Sequence, residues 1–159
     1  MAADFASLLA RFTAAVEAAD GAALAALFTE DGLYDDTFYG AFRGRAAIRA
    51  MLEDHFWRDG TAFRWDMRDP VSDGRTGYAS WLFSYTARLA PFTGRRVVVA
   101  GMSRFALAGG LIIHYAEAFD AGQAFRQLGM APDRLAVVLD RMNARFLAAT
   151  ELGRHRGAD

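Results

Sequence analysis

The chain has no cysteine and, in its 159 residues, no lysine either; its 18 basic residues are all arginine. Without cysteine there is no disulfide, no thiolate ligand and no thiol nucleophile, and without lysine there is no Schiff-base amine. Histidine and proline are scarce, at 3 residues each. No two histidines stand at ligand spacing on a helix, so no metal site is expected. Charge of one sign is also missing: 19 acidic residues against 18 arginines leave a net charge of -1. A field that would gather nucleic acid or an anionic membrane is therefore not expected.

No apolar run approaches the roughly 20 residues of a membrane span. The start, Met1-Ala2-Ala3-Asp4-Phe5, carries an early acid, and Arg11 and Glu17 interrupt the apolar positions that follow, unlike a secretory leader. The expectation is a soluble cytoplasmic protein, and the exclusive use of arginine reads as a bacterial coding bias. Disorder is excluded by a composition that is 53% hydrophobic and 13% aromatic, enough apolar mass for one packed core. Any catalysis must run on carboxylates, His, Tyr, Ser or Arg.

Phe5, Leu8, Leu9, Phe12 and Val16 recur at helical spacing as far as Asp20-Gly21. Ala22 to Phe28 predicts a short second helix that ends in a Glu30-Asp31-Gly32 turn, and Leu33 to Phe38 alternates like a strand. A third helix opens at Gly44, with Ala47, Ile48, Met51, Leu52 and Phe56 as its apolar face, and closes at Asp59-Gly60. The period then changes to two. Stripes at Phe63-Trp65-Met67, Ala79-Trp81-Phe83-Tyr85, Val97 to Leu107 and Leu111 to Phe119 are separated by Asp73-Gly74, Pro91 to Gly94 and Gly109-Gly110. Connections this short join antiparallel neighbours. Helical spacing returns over Ala121 to Leu128, and again after Pro132 with Leu135, Val138, Leu139, Met142, Phe146 and Leu147 on one stripe.

Helices first and long strands afterwards predict an α+β fold: a strongly curved, cone-shaped sheet, antiparallel or mixed, with the N-terminal helices on its concave face. One domain over residues 1–152 is expected, with a core at 5–129, an extra C-terminal helix at 132–151 and a flexible tail at 153–159. Gly109-Gly110 cradles no phosphate, since no helix begins there, and no cofactor is expected. Gly101-Met102-Ser103-Arg104-Phe105 lacks the closing glycine of a hydrolase elbow, which leaves Ser103 as a polar cavity residue.

Three segments carry a family likeness. Phe12-x-x-Ala15-Val16-x-Ala18-x-Asp20 leads into Leu24-x-x-Leu27-Phe28-x-x-Asp31. The second is Phe42-x-Gly44-x-x-Ala47-Ile48-Arg49. The third is Tyr115-Ala116-Glu117-Ala118-Phe119-Asp120, followed by Gln127-Leu128-Gly129. Together they resemble the nuclear transport factor 2-like superfamily, whose members include ketosteroid isomerase, limonene-epoxide hydrolase, scytalone dehydratase and the SnoaL-like polyketide cyclases.

By that resemblance Asp36 falls where ketosteroid isomerase has its base, while Phe12 and Ser103 fall where it has its two oxyanion donors. Trp81 and Phe83 occupy the places of an Arg and an Asp of limonene-epoxide hydrolase. Glu117 falls where the SnoaL-like cyclases have their acid-base aspartate. The resemblance implies a central apolar cavity and a homodimer formed through the sheet; the alternation around Val97 to Arg104, apolar on both faces, also calls for a second cover.

Read as residues, Glu117 shares its strand face with Tyr115 and Phe119, where desolvation raises a carboxyl pKa toward neutrality. Pairing with Arg104 is the structural alternative. Asp36 faces the same way as Tyr34, opposite to Asp35. Asp120 is either a third acid or the N-cap of the helix that follows. The expected site is therefore Glu117, Asp36 and Asp120 as catalytic candidates, in a cavity lined by Tyr34, Tyr39, His55, Trp57, Trp65, Trp81, Phe83, Tyr85, Ser103, Tyr115 and Phe119. The expected ligand is an apolar small molecule, and the expected chemistry is cofactor-free cyclisation, isomerisation or dehydration. A cavity domain that binds or dimerises without catalysis is the alternative, and an epoxide hydrolase with a rearranged triad is a further one.

Overall fold

In a computed structural model, which describes residues 2–148 together with Leu152 and His155, the first helix α1 (Ala2–Glu17) turns its apolar stripe wholly inward. Phe5, Leu8, Leu9, Phe12 and Val16 are all buried. Asp20 caps the short α2 (Gly21–Ala26) by accepting the Ala23 N–H at 2.8 Å. The strand β1 (Phe28–Asp36) begins at once, five residues earlier than the alternation suggests. Glu30-Asp31-Gly32 is thus a bulge within the strand and not a turn, since the register of β1 against its neighbour slips between Phe28 and Leu33.

A hairpin through Thr37-Phe38-Tyr39 leads to β2 (Gly40–Arg43). The helical stretch that follows has three parts: α3 (Arg45–Ala50), a π-helical turn (Met51–Phe56) and the single turn α4 (Trp57–Asp59). The wider π turn keeps Met51, Leu52 and Phe56 buried on one side while Glu53 and Asp54 stay in solvent. Four long strands complete the sheet: β3 (Gly60–Ser72), β4 (Thr76–Ala87), β5 (Arg96–Ala108) and β6 (Leu111–Phe119). After them come α5 (Ala121–Gln127) and α6 (Pro132–Leu147). The C-terminal helix expected to residue 151 ends at Leu147, and residues 149–151 and most of the tail from 153 lie outside the described residues.

The six strands form one sheet in the order β2-β1-β6-β5-β4-β3. All neighbours are antiparallel except β1 and β6, which run parallel, so the sheet is mixed and does not close into a barrel. The fold is α+β, as the sequence pattern implies. α1 lies on the concave face, where Phe12 meets the rings of Phe28, Tyr34, Trp65, Phe105 and Tyr115 at centroid distances of 5.0 to 6.4 Å. Burying each such ring contributes on the order of 2–3 kcal/mol. This cluster packs the centre of the concave face, and open space lies to either side of it, beside Phe63 and Tyr85 and between α1 and β3.

The outer sheet face is less covered. Leu82, Val98 and Met102 are exposed there, and half of the apolar stripe of α6 is exposed too: Leu139, Phe146 and Leu147. No helix among the described residues is long and apolar enough to cross a membrane.

Candidate functional site

The parallel pairing of β1 with β6 sets Tyr34 opposite Tyr115 and Asp35 opposite Ala116, so the next position brings Asp36 beside Glu117. Alternation sends Tyr34, Asp36, Tyr115 and Glu117 to the concave face, and Asp35 to solvent. The hairpin after β1 then supplies three successive amide protons. Thr37 N–H donates to Glu117 Oε1 at 3.2 Å, while Phe38 and Tyr39 N–H donate to Asp36 Oδ1 at 2.8 and 2.7 Å.

A chain of side-chain hydrogen bonds reaches Glu117 from the opposite direction. Trp81 Nε1–H donates to Ser103 Oγ at 2.8 Å, Ser103 donates to the Tyr115 hydroxyl at 2.9 Å, and Tyr115 donates to Glu117 Oε2 at 2.7 Å. Indole is a donor only, so the direction of the chain is fixed and it ends on the carboxylate. The backbone makes room for it: a Cβ on Gly101 would collide with the indole of Trp81 and with the carbonyl of Ala118. Without a side chain at that position, the indole lies across β5 and its N–H meets Ser103.

No ion pair joins either carboxylate to a cation among the described residues. Burial is the main influence on both. It lifts Asp36 to about 6 against the pull of its two amide donors and of the Arg145 charge. For Glu117, burial and then the charge of Asp36 raise the carboxyl to about 8, against the bonds from Tyr115 and Thr37. Near neutrality the pair therefore holds one proton between its two carboxyls. The phenols of Tyr34 and Tyr115 are pushed well above their ordinary value, first by burial and next by the charge of Glu117. Tyr34 has a buried hydroxyl with no well-formed hydrogen bond.

A partly open cavity of about 280 Å³ lies to one side of the Phe12 cluster, lined by Phe38, Tyr39, Phe56, Asp59, Phe63, Phe83, Tyr85, Phe92, Phe125 and small or aliphatic residues. Phe38 and Tyr39 belong to both regions, because their side chains line the cavity while their amides hold Asp36. Neither carboxyl of the dyad is itself part of the lining.

Of the expected lining residues, Tyr39, Phe83 and Tyr85 face the cavity. Tyr34, Trp65, Trp81, Ser103 and Tyr115 do not; they form the packed layer around the dyad, where ring-on-ring contact leaves no space. Phe119 lies behind Phe38 at 5.1 Å. His55 packs on Tyr39 and Phe42, away from the cavity, and Trp57 is held by its indole N–H to the Val16 carbonyl at 3.1 Å. Asp120 is an exposed cap of α5 that accepts the Gln123 N–H at 2.9 Å, so it is removed from the site. Arg104, the alternative partner of Glu117, stands next to Ser103 on the strand and faces outward by alternation.

Two residues missed in the sequence complete the picture. Asp59 lines the cavity and accepts the Tyr39 hydroxyl at 2.6 Å; its place at the end of a helix before Gly60 reads as an ordinary helix stop. Arg145 of α6 donates to the Thr37 carbonyl at 2.7 Å, across 108 residues of sequence and with no local signal. Among the described residues no three His, Asp or Glu side chains gather as metal ligands would.

A curved mixed sheet roofed by an N-terminal helical hairpin, with carboxylates on the concave face, defines a cone-shaped cavity protein. Residues 9–115 match the SnoaL-like domain, and the chain belongs to that family. No curated protein is significantly similar in sequence. The fold is shared with a protein of ketosteroid isomerase-like fold from Catenulispora acidiphila, solved in complex with trimethylamine (TM-score 0.71, 18% identity, 79% of this chain and 95% of that one). It is shared also with a candidate polyketide cyclase from Xanthomonas campestris (0.65, 20%, 80% and 98%). An LEH-like epoxide hydrolase from M. tuberculosis is similar as well (0.66, 16%, 88% and 98%).

Proposed function

We propose that the protein is an acid-base enzyme that isomerises, cyclises or dehydrates an apolar cyclic carbonyl or hydroxyl compound on its own side chains, without a cofactor. The observation that carries this reading is the pair of Asp36, buried, and Glu117, half-buried, side by side with pKa values pushed apart. Such a pair supplies a base and an acid at one pH.

Asp36, the lower of the two, takes a proton from the carbon beside a carbonyl. Glu117 delivers its own proton to the carbonyl oxygen, which gives the enol, and the reverse transfers at another carbon complete an isomerisation. Both oxygens of Glu117 already accept bonds, from Thr37 N–H and Tyr115 O–H, so the proton of the neutral acid is left to point toward Asp36 or a substrate. The Tyr34 hydroxyl, buried without a well-formed hydrogen bond, is a second donor for the developing oxyanion, the charge that dominates such barriers. Entry requires the Phe38 or Phe83 ring to turn and join the cavity to the dyad. Two copies pair through the outer sheet face, where Val98 and Met102 are exposed.

The test is proton exchange. 1-Tetralone, a bicyclic ketone suited to the cavity, is incubated in D2O with the protein and its α-protons are followed by NMR. Exchange is expected with the wild type and lost in Asp36→Asn and Glu117→Gln. Wild-type exchange no faster than that of the double variant, across a panel of cyclic ketones, refutes the reading.

One observation favours a binding module without catalysis: the cavity lining stops at Phe38 and Phe83 and includes neither carboxyl of the dyad. That reading requires ligand affinity to stay constant between pH 6 and pH 8, where the acid-base reading requires it to change.

A further inference from the structure

The cavity beside the dyad is walled by rings and has few polar side chains. Those are Asp59, Tyr39 and Tyr85; among the described residues no Arg or His lines it. The proton of the Tyr39 hydroxyl is committed to Asp59 Oδ2, so what this pair offers a ligand is oxygen lone pairs. Arg58, exposed and outside the lining, forks across both oxygens of Asp59, with Nε on Oδ1 and Nη2 on Oδ2 at 2.9 Å, so Oδ2 accepts from Tyr39 and Arg58 together. Hydrogen bonds from Arg58 and Tyr39 overcome partial burial and hold the Asp59 carboxyl below its ordinary value, so it stays ionised. The Tyr85 phenol is raised to about 12, first by burial and then by the charges of Asp59 and Asp36.

The rings add to this preference. Phe63 lies nearly parallel to Phe83 (30°) and to Tyr85 (24°), with centroids 5.8 and 5.9 Å apart. Aromatic faces attract cations, and more strongly where water is excluded. A carboxylate or phosphate would find no cation among the lining side chains and would lose its hydration without replacement.

We propose that this cavity takes a protonated amine carried on an apolar ring system, with the ammonium group at the Asp59–Tyr39 pair and the rings against Phe63, Phe83 and Phe92. The inference deepens the acid-base reading by naming its substrate class, and it rests on that reading only for calling this cavity the substrate site.

Three probes on one ring system separate the possibilities: 2-naphthylmethylamine, its isostere 2-naphthylmethanol, and 2-naphthoate, titrated calorimetrically into the full-length protein at pH 7. The amine is expected to bind at least tenfold more tightly than the alcohol, and the carboxylate not detectably. Asp59→Asn is expected to bring the amine down to the affinity of the alcohol, whereas Tyr39→Phe, which keeps the charge, retains the preference. Equal binding of amine and alcohol, binding of the carboxylate, or a preference that survives Asp59→Asn overturns the proposal. The three-probe comparison on the wild type decides even where Asp59→Asn fails to fold. Amine selectivity without tetralone exchange removes only the catalytic reading, and exchange without amine selectivity removes only this one.

Discussion

Asp36 and Glu117 share the amide protons of one hairpin: Thr37 serves Glu117, and Phe38 and Tyr39 serve Asp36. The three donors are consecutive N–H groups of one turn, so a shift of that turn disturbs the donors of both carboxyls together. The hairpin thereby holds the two carboxyls side by side, where the charge of Asp36 disfavours ionisation of Glu117.

The first consequence is a stability that falls as pH rises. Both carboxyls titrate higher in the folded protein than in an unfolded chain, Asp36 near 6 and Glu117 near 8. Between about pH 4 and pH 8 the folded state thus binds more protons than the unfolded state, and the slope of unfolding free energy against pH is negative. At about 1.4 kcal/mol per pK unit, discounted for water entry, the loss from pH 5 to pH 9 is expected to be a few kcal/mol. Urea denaturation across that range measures it, and in Asp36→Asn/Glu117→Gln the curve should be nearly flat. A rising slope would mean that the pair is not desolvated.

Glu117→Gln on its own carries a distinct signature. Gln has one acceptor oxygen where Glu has two, so its amide must face either Thr37 N–H or Tyr115 O–H with a donor. At pH 5, where wild-type Glu117 is neutral, the variant should be less stable by about 1–2 kcal/mol. By pH 9 the gap should close or reverse, because the wild type then carries a half-buried charge that the variant lacks.

Tyr115→Phe cuts the relay in the middle. Glu117 loses the donor that favours its ionised form, and the Ser103 hydroxyl loses its acceptor. The expected cost is about 1–3 kcal/mol of stability, with the alkaline limb of the tetralone exchange profile moved upward. An unchanged limb would show that Tyr115 supports the fold without tuning Glu117.

The sequence makes the sheet legible because long runs of period two survive in β3 to β6, where one face is walled by rings. The inward turn of Asp36 and Glu117 follows from the same alternation. What the alternation cannot show is depth. Tyr34, Tyr115 and Ser103 face inward as readily as Phe83 and Tyr85, yet the first three are sealed around the dyad and the last two line open space, a difference set by where α1 presses Phe12 into the cone. Asp120 keeps the signal of a cap and proves to be one. Asp59 and Arg145 act on residues 20 and 108 positions away, Tyr39 and Thr37, and no local pattern announces either contact.

Arg145 gives the last prediction. Its guanidinium holds the carbonyl of Thr37, and the peptide unit of that carbonyl is the one whose N–H, from Phe38, donates to Asp36. Gly40, at φ +91°, makes this seat possible, since a Cβ there would lie 3.3 Å from Arg145 Nη1. The arginine thus polarises the peptide toward Asp36 as well as acting through its charge, and both effects favour the ionised carboxyl. Arg145→Met should raise the acid limb of the exchange profile by a few tenths of a pH unit, an effect sized for an exposed cation. Raising the salt concentration should shrink the through-space part of the shift and leave the hydrogen-bonded part. A shift of zero, with Phe38 and Tyr39 amide protection unchanged, would mean that α6 rests on the hairpin without bearing on the acid behind it.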